Sequence, residues 1–123
     1  MTSPTAKCWR DGKLREIAAS RLVKGDIIEL EAGDRIPADC AVLRAAGFFS
    51  DESVLTGESV AVAKSAGAED DTDNSLNKPN IVYCGASAVK GSCRGKVIAT
   101  GMDTQMGKIS GMLTDIGREH KIT

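Results

Sequence analysis

The sequence predicts a mainly β domain: a distorted jelly roll or β-sandwich of short strands with a C-terminal amphipathic helix. Three observations carry that prediction. Apolar runs are short, the longest stretch of Ala, Val, Ile, Leu and Met being Val60 to Ala63. Thirteen glycines against three prolines supply tight turns between those runs. Only near the end does the period change, where Met106, Ile109, Met112, Leu113 and Ile116 recur at helical spacing. The 123 residues fit a single domain, 1–123, with one core.

Taken in order, Lys7–Arg10 and Lys13–Ile17 flank Asp11-Gly12 and form a hairpin. Ala18–Val23 reads as a short helical turn ended by Gly25. Asp26–Glu31 is a strand closed by Gly33-Asp34. Cys40–Arg44 is the next, after Pro37, and Gly47 breaks the pattern before Phe48-Phe49. Asp51–Leu55, Thr56–Ser59 and Val60–Lys64 read as strand, sharp turn, strand. Residues 65–80 are small, polar and acidic, with Glu69, Asp70, Asp71 and Asp73 close together, and read as a mobile surface loop. Asn80–Tyr83, Ala86–Val89 and Lys96–Thr100 are further strands set apart by Gly85 and Gly95. The closing helix takes Asp103 or Thr104 as its N-cap. Gly107 and Gly111 weaken it and imply close packing against the sheet. Met102, Met106 and Met112 read as core, and Trp9 as core or a buried hairpin face.

Composition excludes several classes of function. Hydrophobic residues make up 41% and charged residues 27%, a globular mixture. A formal charge of −1 argues against a nucleic acid or an anionic membrane as the main partner. No apolar run is long enough to span a bilayer, and the amino terminus lacks the pattern of a secretory signal. Cys8, Cys40, Cys84 and Cys93 show no C-x-x-C spacing and read as free thiols. With His120 as the single histidine, a Ser-His-Asp triad or a histidine-rich metal centre is hard to build.

The informative segment is Thr56-Gly57-Glu58-Ser59. It sets a carboxylate on a tight turn between apolar runs, behind a glycine with no side chain to obstruct approach. A glutamate presented in this way suits general-base work on a water. From these four residues alone a solvated loop carboxylate is the commoner reading.

The context adds to this. Asp51-Glu52-Ser53-Val54-Leu55-Thr56-Gly57-Glu58-Ser59 resembles the actuator-domain signature of P-type ATPases, D-[QE]-[SA]-x-L-T-G-E-S. Leu22–Ile28 and Gly33–Asp39 are similar to that family's [LV]-V-x-G-D-[IV]-[IV] and G-D-x-[IV]-P-A-D segments. Ala99–Ile109 is similar to its A-T-G-x-x-T-x-x-G-K-I stretch. The four matches stand in family order and run from about Pro4 to Leu113. The chain departs from the pattern at Ala61, where many relatives carry Pro, and at Glu52, where many carry Gln.

The resemblance implies a cytosolic module of a multi-pass membrane pump. It would rotate to dock its T-G-E loop on the aspartyl phosphate of a separate phosphorylation domain, with Glu58 orienting and deprotonating the attacking water. Thr56 and Gly57 would shape and shield the approach, and Ser59 would brace the turn. Gly25-Asp26 and the Gly33–Asp39 segment read as structural turns. The chain holds no D-K-T-G motif and no nucleotide-binding segment. The resemblance therefore implies an isolated domain without activity of its own and without cofactor, in a parent that uses Mg2+ and ATP. Its partners would be the phosphorylation and nucleotide-binding domains and the transmembrane helices of the same parent, and both chain ends would face the membrane. The 65–80 insertion and Asn80–Gly85 resemble type II calcium-pump and sodium-pump relatives; the ion stays open between calcium and sodium or potassium.

Two features mislead. Gly101–Lys108 has five residues where a G-x-x-x-x-G-K phosphate loop needs four. Glu69–Asp73 lacks the glycine and terminal glutamate of an EF-hand, and reads as a solvated loop. A stand-alone hydrolase based on Glu58 lacks a second catalytic group. A non-catalytic β-sandwich interaction module is the remaining alternative.

Overall fold

The computed structural model describes residues 5–68 and 70–109. The chain begins with strands β1 (Thr5–Arg10) and β2 (Lys13–Ala18), joined by the two-residue turn Asp11-Gly12 with both φ angles positive. This is the predicted hairpin. A 3-10 turn at Ala19–Arg21 follows, then β3 (Ile27–Glu31). Between them Asp26 accepts hydrogen bonds from the Val23 amide and from Arg10, which fixes the Gly25-Asp26 turn.

Two long strands dominate the rest: β4 (Asp39–Asp51) and β7 (Ser87–Ala99), 13 residues each. Here the structure corrects the sequence reading, which divided each of them at a glycine. Neither glycine ends its strand: Gly95 pairs with Ile28 and Val42 in the ladder, and Gly47 sits in a bulge. Gly47-Phe48 on β4 lies opposite Gly91 alone on β7, because Ala46 pairs with Ser92 and Phe49 with Lys90. At that point a Cβ on Gly91 would sit 2.2 Å from the Gly47 carbonyl oxygen. The strands can continue only because glycine lets the two backbones touch.

Between them lie helical turn α1 (Ser53–Thr56), β5 (Ala61–Ala63) and β6 (Ile81–Val82). Ser53–Leu55 was expected as strand, and the structure corrects this to helix. All pairings are antiparallel, in the order β2-β1-β3-β7-β4-β5, with β6 also on β4. The Gly33–Asp39 segment is laced to the start of β7 by bonds such as Ile36 amide to Ala86 carbonyl and Ala88 amide to Asp34 carbonyl. The mainly β class is as the sequence predicts.

Period-2 alternation along β4, β6 and β7 sends side chains to two cores. One face holds Cys8, Ile28, Leu30, Cys40, Val42, Phe48, Val82 and Val97. The other holds Ala41, Ile81, Tyr83 and Ile98, with Leu55 of α1 and Leu76 packed against it. Leu76 belongs to the acidic segment, so that segment covers a core face. Tyr83 Oη donates to the Ser75 carbonyl and accepts from the Lys78 amide. Asp71 accepts from Lys78 Nζ at 2.6 Å and from Asn80. The segment is a mostly exposed loop, as expected, and these bonds tie it to the core; Glu69 lies outside the described residues.

Residues 105–109 are helical. Thr104 is the N-cap, its hydroxyl accepting from the Gly107 amide at 2.9 Å. Gly107 packs closely, but on the backbone of Gly101 and Met102, not on the sheet. Met106 reaches Gly85, whereas Met102 is 62% exposed and not core. Gly111, Met112 and the rest of the predicted helix lie outside the described residues, as do both chain ends. Trp9 is half-buried, donating to Glu29 with Arg94 over its ring. All four cysteines are free.

Candidate functional site

The connection from β4 to β5 is shaped mainly by its backbone. The Glu52 carbonyl accepts from the amides of Leu55 and Thr56 at 2.9 and 3.0 Å, and from the Thr56 hydroxyl at 3.2 Å. Asp51 Oδ1 accepts from the Ser53 amide at 2.9 Å. That hydrogen bond, with a smaller contribution from the Ser53 hydroxyl, holds the Asp51 carboxyl below its usual range.

The turn ends at Gly57, with φ of 78° and its amide bonded to the Ser53 carbonyl at 2.8 Å. No atom lies within 4 Å of where a Cβ would stand. Conformation, not space, therefore calls for glycine: a side chain there costs about 1–2 kcal/mol. The Thr56 hydroxyl also accepts from the Glu58 amide at 3.2 Å, so one side chain joins the turn to the residue that bears the carboxylate.

Thr56, Gly57 and Glu58 are thereby brought into one unit. Gly57, Glu58, Ser59 and Val60 are all exposed. Among the described residues no ion pair engages the Glu58 carboxylate. A cleft of about 390 Å³ opens beside β1 and β3, lined by Leu30, Ile36 and Cys84 among others, and none of residues 56–59 borders it.

Sequence reasoning missed what lies under the loop. Lys64 and Glu52 form an ion pair of 2.6 Å with side chains 0% and 3% exposed. Ser50 Oγ donates to the same Glu52 oxygen at 3.0 Å. Lys64 Nζ also donates to the Lys78 carbonyl and stands 5.0 Å from the centre of the Tyr83 ring. Parity held the signal: residue 52 follows buried Phe48 and Ser50 at period 2, and residue 64 follows half-buried Val62.

Among the described residues no group of three or more His, Cys, Asp or Glu side chains is disposed to hold a metal ion. Asp71 is already engaged: hydrogen bonds from Lys78, then Asn80 and the Asp73 amide, hold its carboxyl down to about 2. The Gly101–Lys108 stretch is a 3-10 turn leading into a capped helix.

The model of the P-type ATPase actuator domain matches residues 1–114. This chain belongs to that family. Among similar proteins, a calcium-transporting ATPase of Bacillus subtilis is 39% identical over 118 residues, 95% of this chain and 13% of the relative. The alpha-B subunit of a sodium/potassium-transporting ATPase of Artemia franciscana is 42% identical over 111 residues, 90% of this chain and 11% of the relative. The actuator domain thus spans a small fraction of the proteins it matches. It also superposes on the crystal structure of a zinc-transporting PIB-type ATPase in its E2.Pi state, with TM-score 0.72 and 31% identity, covering 92% of this chain and 17% of that one. Among the described residues no helix of the actuator domain is long and apolar enough to cross a membrane.

Proposed function

We propose that this actuator domain is the cytosolic moving part of an ATP-driven, membrane-embedded cation pump and that its Thr56–Ser59 loop promotes dephosphorylation. The observation that carries the reading is an exposed Glu58, without an ion pair among the described residues, on a turn built by hydrogen bonds at its base. Docked on an aspartyl phosphate of the pump's phosphorylation domain, Glu58 takes a proton from a water. The water oxygen forms the new bond to phosphorus. The bond from phosphorus to the aspartate oxygen breaks, its electron pair returns to that carboxylate, and inorganic phosphate leaves. Phosphoryl transfer depends chiefly on positioning and charge, so one well-placed carboxylate suffices for this step. Thr56 and Gly57 keep the approach narrow, and Ser59 braces the exit from the turn. Rotation of the domain couples the step to gating of the ion path.

The relatives' names point to calcium or to sodium and potassium as the transported ion. Mg2+ and ATP belong to the parts of the pump outside this chain, with which it works, and the isolated domain is inactive. The test is the decay of the phosphoenzyme in the full-length parent with Glu58→Gln. Strong slowing is expected. Unchanged decay would overturn the reading and leave a non-catalytic interaction module.

A further inference from the structure

We infer that Glu52 and Lys64 are positioning residues for Glu58, a buried ion pair that sets the shape of the loop before it meets its target. The inference rests on the reading of Glu58 given above.

The loop leaves the ladder at the pair Asp51–Ala61, so residues 52–60 project from the sheet. Their tip is exposed, and what stiffness they have comes from the base. At the base, beside the Asp51–Ser53 and Ser53–Gly57 bonds, most contacts converge on Glu52. Its carbonyl receives the two amides and the hydroxyl that form α1. Its carboxylate is held from beneath by Lys64 and Ser50. Lys64 is itself fixed at both ends. Its amide donates to the Phe48 carbonyl, and its ammonium bonds Glu52 and the Lys78 carbonyl above the Tyr83 ring.

The ion pair therefore ties the first residue of the loop to the residue just past β5, and both to the second core. Apolar side chains of similar volume can give equal or better stability than a buried ion pair. What the charges add here is direction: a carboxylate pinned at 2.6 Å cannot rotate without stranding a buried ammonium. Anchoring that carboxylate also resists a backbone shift at Glu52, which would turn the carbonyl that starts α1, and with it Thr56 and Glu58. Misplacement of a reacting group by about 1 Å costs on the order of a hundredfold in rate.

The test uses the full-length pump, labelled from ATP and chased, in two variants. Glu52→Gln/Lys64→Met removes both charges together and strands neither. Glu52→Asp keeps both charges and shortens the arm by one methylene. Each is made with Glu58 intact and with Glu58→Gln. With Glu58 intact, phosphoenzyme formation is expected to persist while its decay slows by about tenfold to a hundredfold. With Glu58→Gln, the same changes should slow decay no further than about twofold, because the ion pair acts through a group already removed. Unchanged decay in both variants overturns the inference. So does equal slowing in both backgrounds, which would mark a general structural effect. If the doubly neutral variant fails to fold, Glu52→Asp decides the matter. If Glu58→Gln alone leaves decay unchanged, the reading of Glu58 has failed and this inference falls with it. Slowing by Glu58→Gln without slowing by either variant overturns the inference alone.

Discussion

Asp39 accepts the backbone amide of Gln105 at 2.9 Å, joining the first residue of β4 to the start of the closing helix. The same fully buried carboxylate accepts from the Cys84 amide and from Asn74 Nδ2, both at 2.8 Å. Asn74 in turn donates to the Asp103 carbonyl. One side chain thus gathers four segments that are remote in sequence. Replacement by Ala would leave these donors without an acceptor. Asp39→Ala should lower stability by about 3 kcal/mol or more, and Asp39→Asn, which keeps one acceptor oxygen, by about half as much. Urea denaturation of the chain checks both values.

Gly57 separates conformational from steric demand. Gly57→Ala should destabilise the chain by about 1–2 kcal/mol, and Gly57→Asn by less, since Asn tolerates the left-handed region. Equal losses would mean that space around the turn is the constraint. Thermal unfolding of the two variants distinguishes the cases.

Tyr83 contributes to the alkaline limit, alongside the thiols of Cys40, Cys84 and Cys93, which burial also raises. Burial pushes its hydroxyl up to about 12, opposed by the hydrogen bond from the Lys78 amide. The folded form therefore holds this proton more tightly than the unfolded chain does. Its contribution is complete below about pH 10 and is lost as pH rises toward 12. In Tyr83→Phe the alkaline slope should flatten. The variant should lose about 1–3 kcal/mol at neutral pH, because the Ser75 carbonyl and Lys78 amide lose their partner. A denaturation series against pH reads both effects.

Asp71 governs the acid limit of the 65–80 segment. Its carboxyl is held down to about 2 by Lys78 first and Asn80 second. Its stabilising effect is present above about pH 4 and is lost as pH falls toward 2. Measured against the intrinsic rate at each pH, amide exchange at Asp73, whose N–H donates to Asp71, should accelerate across that window. In Asp71→Asn the acceleration should be absent, with exchange already faster at neutral pH.

Local chemistry was the most legible part of the fold. The Asp11-Gly12 hairpin, the Thr104 cap and the short turn after β2 each rest on a few neighbouring residues, and the sequence displays them. The continuity of β4 and β7 was not legible. It depends on Gly47 facing Gly91, a contact between residues far apart in the chain. Glycine looks the same in a sequence whether it ends a strand or bulges it. In the site, Thr56, Gly57 and Glu58 stood out as a local turn. The buried Glu52 and Lys64 did not, because their partnership is set by the packing of β5 over Ser50. Period-2 parity with Phe48 and Ser50 and with Val62 hinted at inward positions, but charge alone reads as solvent-facing.

The ladder of β3 against β7 pairs Leu30 with Cys93, some sixty residues further on. On a ribosome adding about 5–20 residues per second, β3 emerges with one edge against β1 and the other bare for roughly 3–12 seconds. In that interval the hairpin can form, but neither core can close, because β7 contributes to both. The nascent domain thus passes through a window in which an unpaired strand edge is open to other chains. Its susceptibility to aggregation should follow the speed of translation from β3 through β7, residues 32–99, more closely than the stability of the finished fold.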